Sequence, residues 1–249
     1  MSEPLLQASK LTRRFGGLAA VNSVSIELHR NEVHGVIGTN GAGKSTLINM
    51  LSGELAASEG MIRLRGADIT AWSQPKRARA GIGRSYQRTT LYPEFSVFEN
   101  ARLSAQAAHA RPWAVWEAAL GCAYSSGVAR EALAAAGLTE KADSLAGALS
   151  HGGKRQLEIA MCLATRPQVL LLDEPLAGMG AEETERMLAL LQDLKRAHAV
   201  LLVEHDMDAV FRIADRITVM VNGEVIASGT PAHIRTDPQV RAAYLGEGH

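Results

Sequence analysis

Apolar and polar positions along the chain follow three rhythms. Short apolar-rich runs at residues 33–37, 169–172 and 199–203 predict strands buried on both faces, as in a parallel sheet. Between the last two lies a helical repeat over residues 182–196, in which Met187, Leu188, Leu190, Leu191 and Leu194 share one face. Acids lead that helix and Lys195 and Arg196 close it, which suits the helix dipole. Residues 44–51 have helical composition and follow the first run after a glycine-rich turn. Strands alternating with helices predict an α/β core.

Alternating segments appear at residues 21–28 and 61–65, which predicts an antiparallel flank. Near the C-terminus, runs at 217–221 and 224–228 surround Asn222 and Gly223, a strong hairpin signal. From about Leu91 to Leu149 the chain turns Ala-rich and helical, with no convincing strand. The expected layout is a single domain over 1–249, with a core at about 1–90 and 150–249 and a helical subdomain at about 91–149.

Composition narrows the function. The chain has 249 residues and is 47% hydrophobic but only 4% aromatic, so Ala, Leu, Val and Ile must build a sizeable core. Lys+Arg and Asp+Glu are both 26, and the basic excess of a nucleic-acid binder is missing. Cys122 and Cys162 lie far apart without metal-ligand spacing, which suggests reduced, buried thiols. Residues 1–17 hold no apolar block followed by a cleavage site, so no signal peptide is expected. The longest apolar stretches, including 113–124, fall short of the roughly 20 residues that span a bilayer. Any service to a membrane is therefore expected from the cytosolic surface, docked to another chain.

The chemistry is concentrated where apolar runs end. Gly38, Thr39, Asn40, Gly41, Ala42, Gly43, Lys44, Ser45 and Thr46 fit G-x-x-x-x-G-K-[ST], between an expected strand and helix. Glycines let the backbone approach phosphates, and consecutive N–H groups at a helix N-terminus form an anion site. Lys44 adds positive charge against the β- and γ-phosphates, and the Ser45 hydroxyl can bind Mg²⁺. The run 169–172 ends in Asp173 and Glu174: the first suits Mg²⁺, the second a general base that polarises water. His205 follows the next run, where it is either an ordinary surface or core residue or a donor beside the γ-phosphate. Gln87, after residues 82–86, carries no signal by itself. Ser150 opens the helical segment that begins at His151, as an N-cap or, with the Gly152 N–H, as a second phosphate contact.

Taken in order, these motifs resemble the ATP-binding-cassette (ABC) ATPase family over essentially the whole chain. Residues 38–46 look like its Walker A loop, Gln87 like its Q-loop glutamine on Mg²⁺, and 149–153 like its LSGGQ signature. Residues 169–174 look like Walker B and His205 like the switch histidine. The resemblance implies ATP and Mg²⁺ as cofactors. Lys44, Gln87, Glu174 and His205 would be catalytic, and Ser45, Gln87 and Asp173 would hold the metal. Phe15 and Val21 join residues 38–46, Ser150 and Gly152 as nucleotide contacts. Phe15 falls where the family stacks an aromatic on adenine, although Phe at a strand end is usually core. Two such domains would close head to tail around two ATP molecules, Ser150 and Gly152 acting in trans.

Three departures stand out: His151 replaces the first signature Gly, Gly153 replaces the Gln, and Gly180 stands where the D-loop usually has Asp. A bulky residue in place of that Gly is familiar among branched-chain amino-acid importers. Arg155-Gln156-Leu157-Glu158-Ile159-Ala160, Glu174-Pro175-Leu176-Ala177-Gly178 and Val203-Glu204-His205-Asp206-Met207 fit that branch. So do the tail 237–247 and the segment 111–127 with Trp113 and Trp116. The implied function is the ATPase subunit of a bacterial importer for branched-chain or hydrophobic amino acids, at the cytoplasmic face of the inner membrane. Its implied partners are a second ATPase subunit, permease subunits and, indirectly, a periplasmic binding protein. Residues 91–100 are the expected permease contact, with Tyr92, Phe95 and Phe98 either exposed for it or part of the core. The rivals are ATPases of lipopolysaccharide-transport or urea/amide type. A soluble ABC protein would bring a second cassette or a long coiled coil, and a P-loop kinase would have no use for residues 149–159.

Overall fold

The computed structural model describes residues 3–85, 91–109 and 123–245. The first part is β1 (Leu6–Phe15), β2 (Leu18–Leu28), β3 (Val33–Gly38), α1 (Lys44–Ser52), β4 (Glu59–Leu64), β5 (Ala67–Asp68), α2 (Gln74–Arg79) and β6 (Ile82–Arg84). Then come α3 (Val97–His109) and α4 (Ala123–Ala135), short 3-10 turns, and α5 (His151–Leu163). The rest is β7 (Val169–Asp173), α6 (Ala181–Leu194), β8 (Ala199–Val203), α7 (Met207–Ile213), β9 (Arg216–Val221), β10 (Glu224–Gly229), α8 (Pro231–Thr236) and α9 (Pro238–Leu245).

Two sheets result. The larger has the order β10-β9-β3-β8-β7-β6, and its strands are parallel from β9 to β6. The hairpin at Asn222 and Gly223 adds β10 antiparallel at one edge, as expected. The smaller sheet, β2-β1-β4-β5, is antiparallel.

The unbroken apolar runs have a direct cause. In β7 and β8, Leu170, Leu172, Val200 and Leu202 face a core shared with α5, α6 and α7. Their neighbours Val169, Leu171, Leu201 and Val203 face a second core shared with α1 and the antiparallel sheet. All ten residues of the two strands are buried. Each fully buried Leu or Val contributes about 1.5–3 kcal/mol, so neither face tolerates a polar residue until the strand ends. A third core lies among α3, α4 and α5, where Val97, Ala101, Leu133 and Leu157 meet, as the helical reading of that region expects.

Some boundaries moved. The alternation read at 61–65 belongs to a strand that starts at Glu59 and ends at Leu64, because Arg65 turns into left-handed backbone at φ 51°. The α6 helix starts at Ala181 and ends at Leu194, with Lys195 as its C-cap. The run read at 82–86 is strand over Ile82–Arg84. Trp113, Trp116 and Cys122 lie outside the described residues, and Cys162 is buried, its thiol pushed up to about 12 by burial. Among the described residues, no helix is long and apolar enough to cross a membrane.

Candidate active site

β3 carries the chain into the loop before α1. Gly43 sits at φ 95°, and a Cβ there would lie 2.3 Å from the carbonyl oxygen of Ala20, so only glycine fits. Ala42 N–H donates to Thr39 O at 3.1 Å, and Gly223 N–H donates to Ala42 O at 3.1 Å, which ties the loop to the β9–β10 hairpin. α1 has neither a capping side chain nor an acid in its first turn, so its N-terminal donors suit an external anion. Lys44 is buried and folds back, its ammonium donating to Gly38 O at 2.7 Å and Thr39 O at 3.0 Å. Burial lowers its pKa, while Glu174, Asp173 and Glu204 oppose that shift. Asn40, Gly41 and Ser45 are exposed on the same rim.

β7 delivers the carboxylates. Asp173 is buried, and its N–H donates to Ser85 Oγ at 3.3 Å. Burial pushes its carboxyl above the ordinary range, against the pull of Arg84, whose Nη2 lies 3.7 Å from Oδ2. Asp173 Oδ1 is buried with no hydrogen-bond partner among the described residues. An orphaned carboxylate oxygen near the exposed Ser45 hydroxyl's helix fits a hard cation with oxygen ligands.

Glu174 is left at the strand's end with φ 48°, a left-handed conformation that a side chain adopts only under tertiary constraint. The constraint includes its N–H, which donates to Val203 O at 2.9 Å. His205 lies two residues beyond the end of β8, with Nδ1 3.9 Å from Glu174 Oε1, so the two residues do meet. Between these loops lies an acid whose role the sequence did not announce. Glu204 is fully buried and accepts N–H bonds from Leu176 at 2.8 Å and His205 at 3.3 Å. Burial raises its pKa, and those two N–H groups counter the rise. Its only sequence signal is an acid directly ending a buried strand, beside His205.

The remaining candidates separate. Phe15 is 49% exposed, with the Arg13 guanidinium 4.8 Å from its ring centre, so it is no core residue. Val21 is fully buried, and its Cγ2 lies 3.3 Å from where a Cβ on Gly43 would be, so it supports the loop from beneath. Gln87 lies outside the described residues.

Ser150 is the N-cap of α5, its Oγ accepting the Gly153 N–H at 3.2 Å. The cavity of about 220 Å³ beside it is lined by Lys141, Ser150, Gly152, Gln156, Glu183 and Arg186 among others. Among the described residues that line it, none belongs to the loop 38–46. His151 turns away, with Nε2 3.0 Å from Ala177 O in the segment between β7 and α6.

Comparison with known proteins agrees with this geometry. The pattern of the family described as ABC transporter matches residues 21–177, and that of the branched-chain amino acid ATP-binding cassette transporter matches residues 224–249. The high-affinity branched-chain amino acid transport ATP-binding protein BraF of Pseudomonas aeruginosa is 43% identical, over 99% of this chain and 100% of BraF. LivG of Escherichia coli (strain K12), described in the same words, is 41% identical over 99% of this chain and 100% of LivG. Among solved structures, the ADP conformation of MJ1267, an ATP-binding cassette of an ABC transporter, superposes with a TM-score of 0.86 at 30% identity. That superposition covers 99% of this chain and 100% of MJ1267. The chain belongs to the ABC transporter family.

Proposed function

We propose that this protein is the ATP-hydrolysing subunit of an importer for branched-chain or related hydrophobic amino acids, working as one member of an ATPase pair. The observation that carries the pairing is the separation within one chain of two helix N-termini built for anions. None of the described residues lining the cavity beside the α5 cap belongs to the loop before α1, which supports a second chain bringing the two termini together on one nucleotide. The cargo rests on likeness along the whole chain to BraF and LivG and on the match at residues 224–249.

In the proposed cycle the N–H groups of residues 38–46 cradle the triphosphate. Lys44 leaves its loop carbonyls for the β- and γ-phosphates, and Phe15 offers its exposed ring to the adenine. Ser45 and Asp173, with Gln87, would hold a Mg²⁺ ion, which would supply positive charge against the phosphates. Glu174 takes a proton from the attacking water, which forms the new P–O bond while the bond to the β-phosphate oxygen breaks and ADP leaves. His205 donates to the γ-phosphate, and Glu204 holds the His205 loop and the segment after Glu174 in register. Ser150 and Gly152 contact the γ-phosphate bound on the other chain, so nucleotide joins the pair and hydrolysis releases it.

The subunit would dock peripherally on permease subunits at the cytoplasmic face of the membrane. Tyr92 and Phe95 support this: they are 55% and 43% exposed and stack with ring centres 5.3 Å apart. Phe98 instead packs into the helical core. Solute choice would lie with the permease and a separate binding protein. The test is uptake of radiolabelled leucine by proteoliposomes holding this chain with permease subunits of a branched-chain amino-acid importer, plus their binding protein. ATP-driven uptake that is lost in Lys44→Ala supports the proposal. Uptake that persists without a functional copy of this chain contradicts it.

A further inference from the structure

The N-terminus of α5 already holds an anion, and it comes from the same chain. Glu183, in the first turn of α6, places Oε1 2.9 Å from Ser150 Oγ and 3.3 Å from Gly152 N, so hydroxyl and amide both donate to one carboxylate oxygen. A Cβ on Gly152 would lie 2.7 Å from the Glu183 carboxyl carbon, so the absence of a side chain there admits the carboxylate. These donors, with the Ser150 hydroxyl the strongest influence, hold Glu183 below the usual carboxylate range and so keep it ionised. The cationic side chains of Lys141 and Arg186 line the same cavity. His151, through Ala177 O, fastens the other side of this turn to the segment that leads into α6.

We propose that the Glu183 carboxylate is an internal stand-in for phosphate. It occupies the Ser150 and Gly152 donors in the single chain and must be displaced before a partner's γ-phosphate can dock there. The inference rests on the reading of Ser150 and Gly152 as phosphate donors and adds a control to that site. A phosphate entering the cavity meets a like charge on the very donors it needs, so carboxylate and phosphate exclude each other. Arg186, one helical turn further along α6, lines the same cavity and pairs with Glu182 at 3.0 Å. The consequence is a threshold: the ATP concentration needed to close the pair is higher than the loop before α1 alone would set.

The test uses the full chain carrying Glu174→Gln, so that bound ATP persists, titrated with MgATP while dimer is read by sedimentation velocity. Adding Glu183→Gln, which is isosteric and uncharged, should lower the half-point for pairing about threefold or more, as loss of a competing charge-assisted bond implies. Glu183→Ala should move it the same way, and the ADP affinity of the separate chain should stay constant in both. A half-point that is unchanged or higher while the parent still pairs overturns the role of Glu183 and leaves the phosphate reading intact. An equal shift in ADP affinity also overturns it, because the effect would then lie in the loop before α1. A parent that never pairs, with Ser150 and Glu183 both intact, overturns the phosphate reading itself.

Discussion

The N-termini of α1 and α5 are entered from different backbone, left-handed at Gly43 and extended at Ser150, and are prepared for different events. α1 opens from Gly43 with no side-chain cap, and the group folded against its loop is a cation, Lys44, resting on Gly38 and Thr39 carbonyls. α5 opens from a Ser150 cap, and the group on its donors is an anion, Glu183. A cation held over carbonyls is drawn toward an arriving phosphate, whereas an anion held on donors has to be expelled by one. In the proposed reading the first terminus would bind nucleotide within its own chain, and the second only in competition with its own Glu183. Under that proposal the chain would hold ATP without closing prematurely on a partner.

The largest expected effect separates binding from chemistry at the first terminus. Glu174→Gln should slow phosphate release by roughly 10²–10⁴-fold while equilibrium binding of MgATP is retained. Turnover close to wild type would remove Glu174 as the base.

Next comes the scaffold beneath that terminus. His34 lies on β3, where Nδ1 donates to Glu27 O at 3.0 Å and Nε2 lies 2.8 Å from Thr218 Oγ1, and burial lowers its pKa to about 4. Between about 4 and the ordinary value near 6.5, the unfolded chain takes up the proton and the folded chain refuses it. Stability from neutral His34 is therefore complete above pH 6.5 and falls as the pH drops toward 4, by something on the order of 3 kcal/mol. The melting-temperature advantage of wild type over His34→Gln should shrink over that range, and a constant gap would show that His34 titrates normally.

Lys44→Ala should weaken MgATP binding by about 1.5–3 kcal/mol, the worth of hydrogen bonds to a charged group. Isothermal titration reads this directly, and sedimentation of Ser150→Ala should show the opposite profile, with pairing impaired and ADP binding intact. The smallest effect belongs to Phe15→Ala. Loss of one aromatic stack is worth about 0.5–1.5 kcal/mol, and the change should appear equally for ATP and ADP.

How much of this could be read from the chain depended on whether a residue's role is local. β7 and β8 were legible because both faces are buried, which leaves no polar residue until Asp173 and Glu204. The loop 38–46 was legible because its chemistry is carried by contiguous backbone. β1, the strand that pairs with both β2 and β4, was not singled out. Lys10 takes φ 51° and the register shifts between Ala8 and Leu11, so the buried positions Leu6, Ala8 and Leu11 lose strict alternation. Glu204 and Glu183 escaped for another reason: their partners Leu176 and Ser150 lie 28 and 33 residues away. Nothing near either acid in the chain foretells those contacts. The aromatics after Leu91 were undecidable from spacing, and the structure divides them, with Tyr92 and Phe95 outside and Phe98 half-buried near Arg130.

The central claim is that one triphosphate is held by α1 of one chain and α5 of the other. Two disabled proteins test it most directly: Lys44→Ala, with a broken first terminus, and Ser150→Arg, with a blocked second. Mixed in equal amounts, they can form a pair in which both defects fall on one nucleotide site and the other site is whole. The account predicts that ATP hydrolysis, absent from either protein alone, returns on mixing. A mixture as inactive as its components would contradict it.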